Sequence, residues 1–380
     1  MKRNKKINFI TLGCSKNVVD SEHIAAQLEA AGYELEHDSN DPDAGIVVIN
    51  TCGFIGDAKE ESINMILESA GMKKEGLIDS LFVIGCLSER YADELRVEIP
   101  EVDEYFGARD LTGVIKALNA EYRNELETVR HLSTPSHYAY LKISEGCNWH
   151  CSYCAIPLIR GKHVSVPMEK LLEEARELSR NGVKELIVIA QDTTYYGVDI
   201  YGERRLAELL RGLAKIDGIG WIRLHYTYPT GFPDDVIEVM RDEPKICKYI
   251  DIPLQHISDN VLAGMKRNIT KAQTQELIAK LRREIPGIAI RTTMLVGFPG
   301  ETESDFEELL QFVSVEKFER LGVFPYSEEE GTYAGDKMKD DIPQAEKERR
   351  AEAVMELQGN ISAAANVSKV ERRMKVLIDS

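Results

Sequence analysis

The chain has 380 residues, a formal net charge of −17 and seven cysteines. Its 43% hydrophobic and 29% charged residues are typical of a soluble globular protein with two or three domains. No apolar run reaches the length of a membrane span, and the basic N-terminus leads into too few apolar residues for an export signal. We therefore expect a cytoplasmic protein with reduced thiols and no membrane contact. Its acidity argues against broad binding to nucleic acid and favours a basic protein partner.

The first 125 residues alternate between strand and helix patterns. Apolar, β-branched runs predict strands at 7–13, 33–38, 44–54 and 80–88, and periodic runs predict helices at 15–33, 58–71 and 89–100. The run AGIVVINTCGF has the continuous apolar centre of a strand that is buried on both faces of a parallel sheet. Residues 1–125 are therefore predicted to form an N-terminal doubly wound parallel α/β domain.

The alternation resumes after an interruption. Residues 120–137 are polar and contain Pro135, which predicts a linker at 126–137 or a peripheral pair of strands. Helix patterns, notably 168–182 and 271–287, separate six further strand patterns, at 138–144, 185–191, 221–228, 249–255, 288–298 and 321–327. A complete eight-unit barrel takes about 250 residues. Six units in residues 138–345 therefore predict a partial (β/α)6 barrel, similar to a TIM barrel that lacks two strands.

The last part of the chain is charged and has a helical pattern. Residues 342–369 predict a long helix, and we assign 346–371 to a helical extension beyond the barrel. Residues 372–380 contain a short apolar run that predicts a strand with no partner. We interpret it as the first strand of a further C-terminal module, with a frayed tail as the alternative.

Three cysteines of the first domain share one topological position. Cys14, Cys52 and Cys86 each follow a predicted strand and precede a helix. The carboxyl ends of parallel strands lie at one edge of a sheet, where such folds bind ligands. The helix N-termini at that edge favour thiolates. A single cysteine is often a small buried apolar residue, but three equivalent positions favour a shared metal or cluster site over three unrelated core cysteines.

The end of the first barrel strand carries a second set of cysteines: Cys147, Cys151 and Cys154. Barrels place their catalytic groups on that face. A structural zinc site needs a fourth ligand, and neither His150 nor His163 gives a standard spacing. A fully ligated iron–sulfur cluster needs a fourth cysteine, but the remaining Cys247 is interpreted as a buried structural residue. Three thiolates on a four-iron cluster leave one iron open, so we interpret the triplet as a chemical site.

These motifs resemble those of a known enzyme family. Cys-x3-Cys-x-aromatic-Cys at the first strand of a partial barrel, with Tyr153 as the aromatic residue, is similar to the signature of radical S-adenosylmethionine enzymes. The whole chain resembles their methylthiotransferase branch, which has an N-terminal α/β domain with three further cysteines, a central barrel and a C-terminal TRAM module. The matching stretches are GCSKNVVDSE (13–22), NTCGF (50–54), GCLSERY (85–91), GCNWHCSYCAIPLIRG (146–161) and GFPGET (297–302).

The resemblance implies two [4Fe–4S] clusters and S-adenosyl-L-methionine as cofactors. The barrel triplet would ligate the cluster that cleaves this cofactor to a 5′-deoxyadenosyl radical, and the N-terminal triplet a cluster that carries or donates sulfur. AQDTTYYG (190–197) and YIDIPLQHISDNVL (249–262) are most similar to members that methylthiolate the β-carbon of an aspartate in small-subunit ribosomal protein S12, free or on the ribosome. An electron donor such as flavodoxin or ferredoxin is implied. The substrate-docking TRAM module would begin at residues 372–380, and we expect its truncation there to weaken substrate binding.

Six further residues are candidates for contacts with the cofactor: Tyr153, Gln191, Asp192, Gln255, His256 and Arg291. Four of them lie at the ends of the second and fourth barrel strands, where polar groups favour function over structure. Tyr153 is predicted either to contact the adenine or to serve only in packing. Arg291 lies inside the fifth strand and needs an anion, either the cofactor carboxylate or a structural Asp or Glu.

Two other functions compete with this interpretation. A non-catalytic iron–sulfur or zinc protein, such as a sensor or an electron carrier, would leave the polar residues at the barrel strand ends unexplained. A tRNA 2-methylthioadenosine synthase of the same branch would be expected to have a basic face and a Gly-Gln-Asn run where this chain has Ala190-Gln191-Asp192. The sequence favours the enzyme that acts on the ribosomal protein.

Overall fold

A computed structural model describes residues 5–39 and 43–378 of the chain. Within these residues no helix is both long enough and apolar enough to cross a membrane. The described residues form two parallel sheets, one from each half of the chain.

The first sheet has five parallel strands in the spatial order β2-β1-β3-β4-β5. The strands are β1 (Lys6–Thr11), β2 (Glu34–His37), β3 (Ile46–Thr51), β4 (Ser80–Gly85) and β5 (Glu104–Gly107). The helices are α1 (Ser15–Ala30), α2 (Gly56–Lys74), α3 (Cys86–Glu98) and α4 (Leu111–Ala117). A short 3-10 turn follows at Asn124–Leu126.

Both faces of this sheet are covered, as the apolar centre of β3 predicts. Val48 packs on one face with Phe9 and α1, whereas Val47 and Ile49 pack on the other with α2. Alternate residues of a strand point to opposite faces, so a strand buried on both sides must be apolar at every position. The prediction of a doubly wound parallel α/β domain is confirmed.

The second sheet has six parallel strands in sequential order, β6-β9-β10-β11-β12-β13, beside a two-residue antiparallel pair, β7 and β8. The strands are β6 (Tyr138–Lys142), β7 (Ser144–Glu145), β8 (Val164–Ser165), β9 (Glu185–Ile189), β10 (Trp221–Leu224), β11 (Ile246–Asp251), β12 (Ala289–Val296) and β13 (Arg320–Pro325). Sequential parallel order with helical crossovers is the topology of a (β/α) barrel. The predicted partial barrel of six units is confirmed.

The helices of this half lie on the outer face of the sheet and along its edge: α5 (Ile156–Ile159), α6 (Met168–Arg180), α7 (Val198–Tyr201), α8 (Leu206–Ala214), α9 (Asp234–Asp242), α10 (Asp259–Gly264), α11 (Lys271–Glu284), α12 (Glu303–Glu316), α13 (Tyr333–Lys337) and α14 (Gln344–Val367). Ile290, Thr292 and Met294 of β12 are buried beneath them, whereas Arg291 and Thr293 on the inner face are only partly buried. The inner face of the partial barrel is therefore polar and open.

Four local predictions are wrong or incomplete. Residues 86–88 are helical, because Gly85 at φ +112° lets the chain turn directly from β4 into α3. The short strand β5 was not predicted, since its four residues give too little periodicity. No strand forms in 120–137. Among the described residues of the tail, 371–378, there is no strand either, because no partner strand lies beside it.

Candidate active site

The N-terminal thiols lie at one edge of the first sheet. Cys14, Cys52 and Cys86 follow β1, β3 and β4, which are neighbours in the sheet. Cys14 is exposed, Cys52 is partly buried and Cys86 is buried. Topology therefore brings together three residues that are far apart in sequence.

Asn17 joins this edge into one unit. Its side-chain amide donates hydrogen bonds to the carbonyl oxygens of Leu12 (2.9 Å) and Thr51 (3.0 Å), which ties the ends of β1 and β3 together. Its Oδ1 atom lies 4.0 Å from the Sγ atom of Cys14 and 3.9 Å from that of Cys86. Sequence analysis did not identify Asn17, although it stands inside the matching stretch GCSKNVVDSE.

Gly13 packs closely against Cys52. Gly13 has φ +92°, and a Cβ atom at this position would lie 2.8 Å from the Cβ atom of Cys52. Only glycine satisfies both conditions.

Burial affects the titration of two of these thiols. It raises the pKa of Cys86 to about 11, against the opposing effect of the Arg160 guanidinium, and it also raises the pKa of Cys52. Desolvation of these two side chains therefore acts against the thiolate that the helix N-termini are predicted to favour. Thiols of this kind lose their protons when a metal replaces them.

The barrel triplet lies in the loop between β7 and α5. The amide of Cys147 donates to the Gly161 carbonyl (3.0 Å), and the amide of Cys154 donates to the Cys151 carbonyl (3.1 Å). Ser152, between the cysteines, is buried and donates from its hydroxyl to the Gly264 carbonyl (2.7 Å). These bonds anchor the loop to the barrel on both sides.

Three residues that the sequence did not reveal surround Cys151. The Trp149 ring stacks on Tyr228, with centroids 4.1 Å apart and 9° between the planes. The Tyr228 hydroxyl and the Nη1 atom of Arg267 each lie 3.5 Å from the Cys151 sulfur. The position of Trp149 between the cysteines was a weak sequence signal for a role in the site. Tyr228 and Arg267 come from distant segments, and no sequence signal pointed to them.

Asp192 supports this aromatic pair. One carboxylate oxygen accepts from the Trp149 indole nitrogen (2.7 Å), and the other accepts from the backbone and the hydroxyl of Thr194 (2.8 and 2.6 Å). Asp192 was predicted to contact the cofactor. In the structure both of its oxygens are used by protein groups, so it orients Trp149.

Burial also controls the barrel thiols. It raises the pKa of Cys147 and of Cys154 to about 12, whereas the nearby Arg267 guanidinium opposes the rise. A buried cation beside three thiols suits an anionic thiolate cluster.

Both triplets fit a polynuclear cluster by their donor chemistry. Thiolates are the preferred ligands of iron–sulfur clusters, and each triplet gathers three thiols at a loop edge without a fourth cysteine. In the described part of the chain, no three His, Cys, Asp or Glu side chains are placed to hold a single metal ion. Cys247 belongs to neither triplet. It lies partly buried on β11, near Arg223 and Glu185.

The two triplets are neighbours across the boundary between the sheets. Cys86 packs against Ala155, which directly follows Cys154, and against Ile159 at the end of α5. Arg160 continues this bridge from the barrel side: it donates to Asn17 Oδ1 (2.5 Å) and pairs with Asp20 (2.7 Å). Its third partner, Glu145 (3.1 Å), lies two residues before Cys147. One buried guanidinium therefore contacts the supports of both sites.

A cavity of about 480 Å³ opens between the two halves. The N-terminal half contributes residues 54–57, directly after Cys52, and the barrel contributes Tyr153, Gln255, Thr293 and Leu295. Gln255 has φ +73° and is held by hydrogen bonds to Thr293 (2.9 Å) and from Leu295 (2.7 Å). A non-glycine residue in this conformation costs about 1–3 kcal/mol, and such strain is concentrated at functional sites.

The other predicted contacts are not among the residues that line this cavity. Gln191 donates to Glu145 (2.8 Å), and its own side-chain oxygen is buried without a partner. His256 is fully buried outside the cavity and lies 3.7 Å from Glu301. Arg291 pairs with Asp251 at 3.3 Å, and its side chain is 42% exposed. Of the two anions predicted for Arg291, the structure supplies the protein carboxylate.

The acidic loop SEEEG (327–331) reaches the N-terminal half through its central residue. Glu329 is buried and accepts from Lys59 (2.8 Å) and Arg90 (3.0 Å) of the N-terminal half. It lines the cavity and joins the two halves. The sequence could not show this, because the two cations lie about 240 to 270 positions away.

The GFPGET stretch (297–302) forms a turn that Glu301 closes by accepting from the amides of Gly297 and Phe298 (3.1 Å for the latter). Gly297 faces Lys347 of α14, so the turn packs against the long helix.

Comparison with known proteins agrees with this architecture. The model of the Radical SAM superfamily matches residues 141–313, and that of uncharacterized protein family UPF0004 matches residues 6–107. Among solved structures, the radical S-adenosylmethionine methyltransferase TsrM from Kitasatospora setae has a TM-score of 0.65 at 15% identity, covering 87% of this chain and 77% of its own. The cobalamin-dependent radical enzyme OxsB has a TM-score of 0.57 at 13% identity, covering 96% and 61%. These likenesses show the fold.

The fold and the Cys-x3-Cys-x2-Cys loop define a radical S-adenosylmethionine enzyme. The chain is 57% identical to the ribosomal protein uS12 methylthiotransferase RimO of Bacteroides fragilis, over all of this chain and 88% of that protein. It is 58% identical to RimO of Flavobacterium johnsoniae, over all of this chain and 86% of that one. The chain belongs to the RimO family of radical S-adenosylmethionine methylthiotransferases. A [4Fe–4S] cluster and S-adenosylmethionine are the cofactors that this superfamily implies.

Proposed function

We propose that this methylthiotransferase modifies the β-carbon of an aspartate in small-subunit ribosomal protein S12, in the cytoplasm, with two three-cysteine [4Fe–4S] clusters. The observation that carries the proposal is the packing of Cys86 on the residues that follow Cys154, which makes the two thiol triplets neighbours. Transfer of sulfur to a carbon radical needs both sites within reach of one substrate atom. The names and identity of the relatives support the choice of S12.

Cys147, Cys151 and Cys154 would hold one cluster, and Cys14, Cys52 and Cys86 the other. When bound, the clusters and S-adenosylmethionine supply the radical and the sulfur. Tyr153 and Gln255 line the cavity beside the barrel triplet, which makes them the best-supported contacts of the cofactor. Arg267 stabilises the thiolate of Cys151, and the stacked pair of Trp149 and Tyr228 keeps water from that ligand.

The proposal includes a division of the chain. Residues 1–125 form the methylthiotransferase domain, 126–137 a linker, 138–345 the barrel and 346–371 a helical extension, with a C-terminal TRAM module beginning at 372. Flavodoxin or ferredoxin is the proposed electron donor.

Anaerobic reconstitution tests the proposal. The loaded enzyme is given dithionite, S-adenosylmethionine and either ribosomal protein S12 or tRNA, and methylthio addition is read by mass spectrometry. Cys247→Ala serves as the control for loss of a thiol outside both triplets. We expect 5′-deoxyadenosine and a modified aspartate on S12 alone. Modification of tRNA alone, or a modified residue other than aspartate, would contradict the proposed substrate.

A further inference from the structure

A buried lysine that follows Cys14 by two positions forms no ion pair with any residue that the structure describes. Lys16 is 7% exposed and stands two residues after Cys14, at the start of α1. In the part of the chain that the structure describes, its ammonium group forms no ion pair or hydrogen bond. It lies 3.0 Å from the ring centroid of Tyr226, across the boundary in the barrel half. An ammonium held out of water without an anion is costly, so the site stays favourable only if an anion arrives.

Two residues near Lys16 are also in unfavourable states, one by its backbone conformation and one by a buried carboxylate oxygen. Tyr226, which follows β10, has φ +57°, a conformation that a bulky side chain rarely adopts. Asp251, at the end of β11, is 1% exposed, and its Oδ1 atom has no hydrogen-bond partner. Burial raises the pKa of Asp251, and the Arg291 guanidinium, the Tyr226 amide and the Lys16 ammonium oppose that rise. These three residues meet where the N-terminal half covers the inner face of the barrel.

The charges at this place leave one positive charge unbalanced. Arg291 of β12 pairs with Asp251 through its Nη1 atom (3.3 Å), which neutralises both. His225 is neutral near pH 7, because burial and the surrounding cations lower its pKa to about 3. Lys16 remains as the unpaired charge. The site is therefore suited to one carboxylate.

We infer that Lys16 binds the side-chain carboxylate of the substrate aspartate and thereby selects aspartate for methylthiolation. This rests on the proposed function. A carboxylate bound by Lys16 would lie at the boundary between the two halves, where Cys86 of the N-terminal triplet also contacts the barrel. S-adenosylmethionine also has a carboxylate, but Lys16 does not line the cavity that contains Tyr153 and Gln255.

The inference is tested by comparing two substrates with two enzymes. Wild type and Lys16→Met, both loaded with clusters, are titrated with S12 and with S12 whose modified aspartate is replaced by asparagine. A charge-assisted hydrogen bond contributes roughly 1.5–3 kcal/mol, so wild type should bind the aspartate form roughly 10- to 100-fold more tightly. We expect Lys16→Met to bind both forms equally and Lys16→Arg to keep most of the preference. Lys5→Met, which removes another lysine above a tyrosine ring, is the matched control.

Each alternative outcome has a distinct signature. A preference for aspartate that persists in Lys16→Met overturns the inference, as does a variant that weakens binding of S-adenosylmethionine instead. A shift in the N-terminal cluster potential, measured by electron paramagnetic resonance, with an unchanged preference would show that Lys16 serves only the cluster. Iron content and thermal melting separate all of these from misfolding. If wild type leaves S12 unmodified, the proposed function itself fails.

Discussion

The two thiol triplets reach similar chemistry by opposite routes. Cys147, Cys151 and Cys154 lie in one loop, anchored by local backbone hydrogen bonds and by Ser152. The N-terminal cysteines come from three strands and meet only when the sheet has formed, joined through Asn17. A site from one loop depends on that loop's packing, whereas a site from three strands depends on a whole domain and on the barrel that covers it.

Removing one thiol from each triplet should give the largest effects. We expect Cys154→Ala to abolish formation of 5′-deoxyadenosine, because the barrel triplet is proposed to activate the cofactor. Cys86→Ala should retain that activity and lose methylthio transfer. Each variant should keep one of two clusters, measured by iron content and spectroscopy. Loss of both clusters from Cys154→Ala alone would show that the N-terminal site cannot form independently.

Arg160 tests how far the N-terminal site depends on the barrel. Replacing Arg160 with Met removes the guanidinium that pairs with Asp20 and donates to Asn17 Oδ1, whereas Lys142 still pairs with Asp20. Breaking a buried ion pair from one side costs about 3–5 kcal/mol when the remaining charge has no other partner. We therefore expect a loss at the lower end, about 3 kcal/mol, in the free energy of unfolding of the metal-free protein, measured in urea, and a greater loss of iron from the N-terminal site. Equal loss of iron from both sites would contradict the expectation that the N-terminal site depends more strongly on Arg160.

Gly13 tests the packing of the N-terminal site at one atom. Gly13→Ala combines a strained φ with overlap on Cys52, whereas Gly76→Ala, at φ +72°, meets nothing within 4 Å. The backbone strain alone should lower the free energy of unfolding by about 1 kcal/mol. The overlap with Cys52 should increase that loss for Gly13→Ala to about 2–3 kcal/mol. Urea unfolding measures both variants. Only Gly13→Ala should also slow assembly of the N-terminal cluster.

The smallest expected effect is on the pH dependence of the free energy of unfolding, to which one buried histidine in each half contributes. Burial lowers the pKa of His23, on α1, and of His225, after β10, from 6.5 to about 3. Below pH 6.5 these histidines are therefore protonated in the unfolded chain but not in the folded chain. The free energy of unfolding consequently falls as the pH drops towards 3. Both rings are partly exposed, which reduces the effect. We therefore expect each histidine to lower the free energy of unfolding by about 1 kcal/mol at pH 5. His23→Gln and His225→Gln should each flatten the slope of unfolding free energy against pH between 7 and 5. An unchanged slope would show that neither histidine is held neutral.

The sequence predicted the elements better than the contacts. All six barrel strands and four of the five N-terminal strands could be located because strand periodicity is a local property. The start of α3 at Cys86 was missed because the turn depends on the left-handed conformation of Gly85. For Asp192, the strand-end position was right, but Trp149 and Thr194 use both of its oxygens.

By itself, the sequence determined the two sheets, the two sets of three thiols and their place at the strand ends, because apolar periodicity and cysteine spacing are written along the chain. Only the tertiary structure decided that Arg160 reaches Asn17, that Glu329 is a buried partner of Lys59, and that Lys16 forms no ion pair within residues 5–39 and 43–378. Those outcomes depend on which surfaces of the two halves meet. Residues more than a hundred positions away decide whether a charged side chain has an ion-pair partner, and no local sequence pattern predicts such a partner.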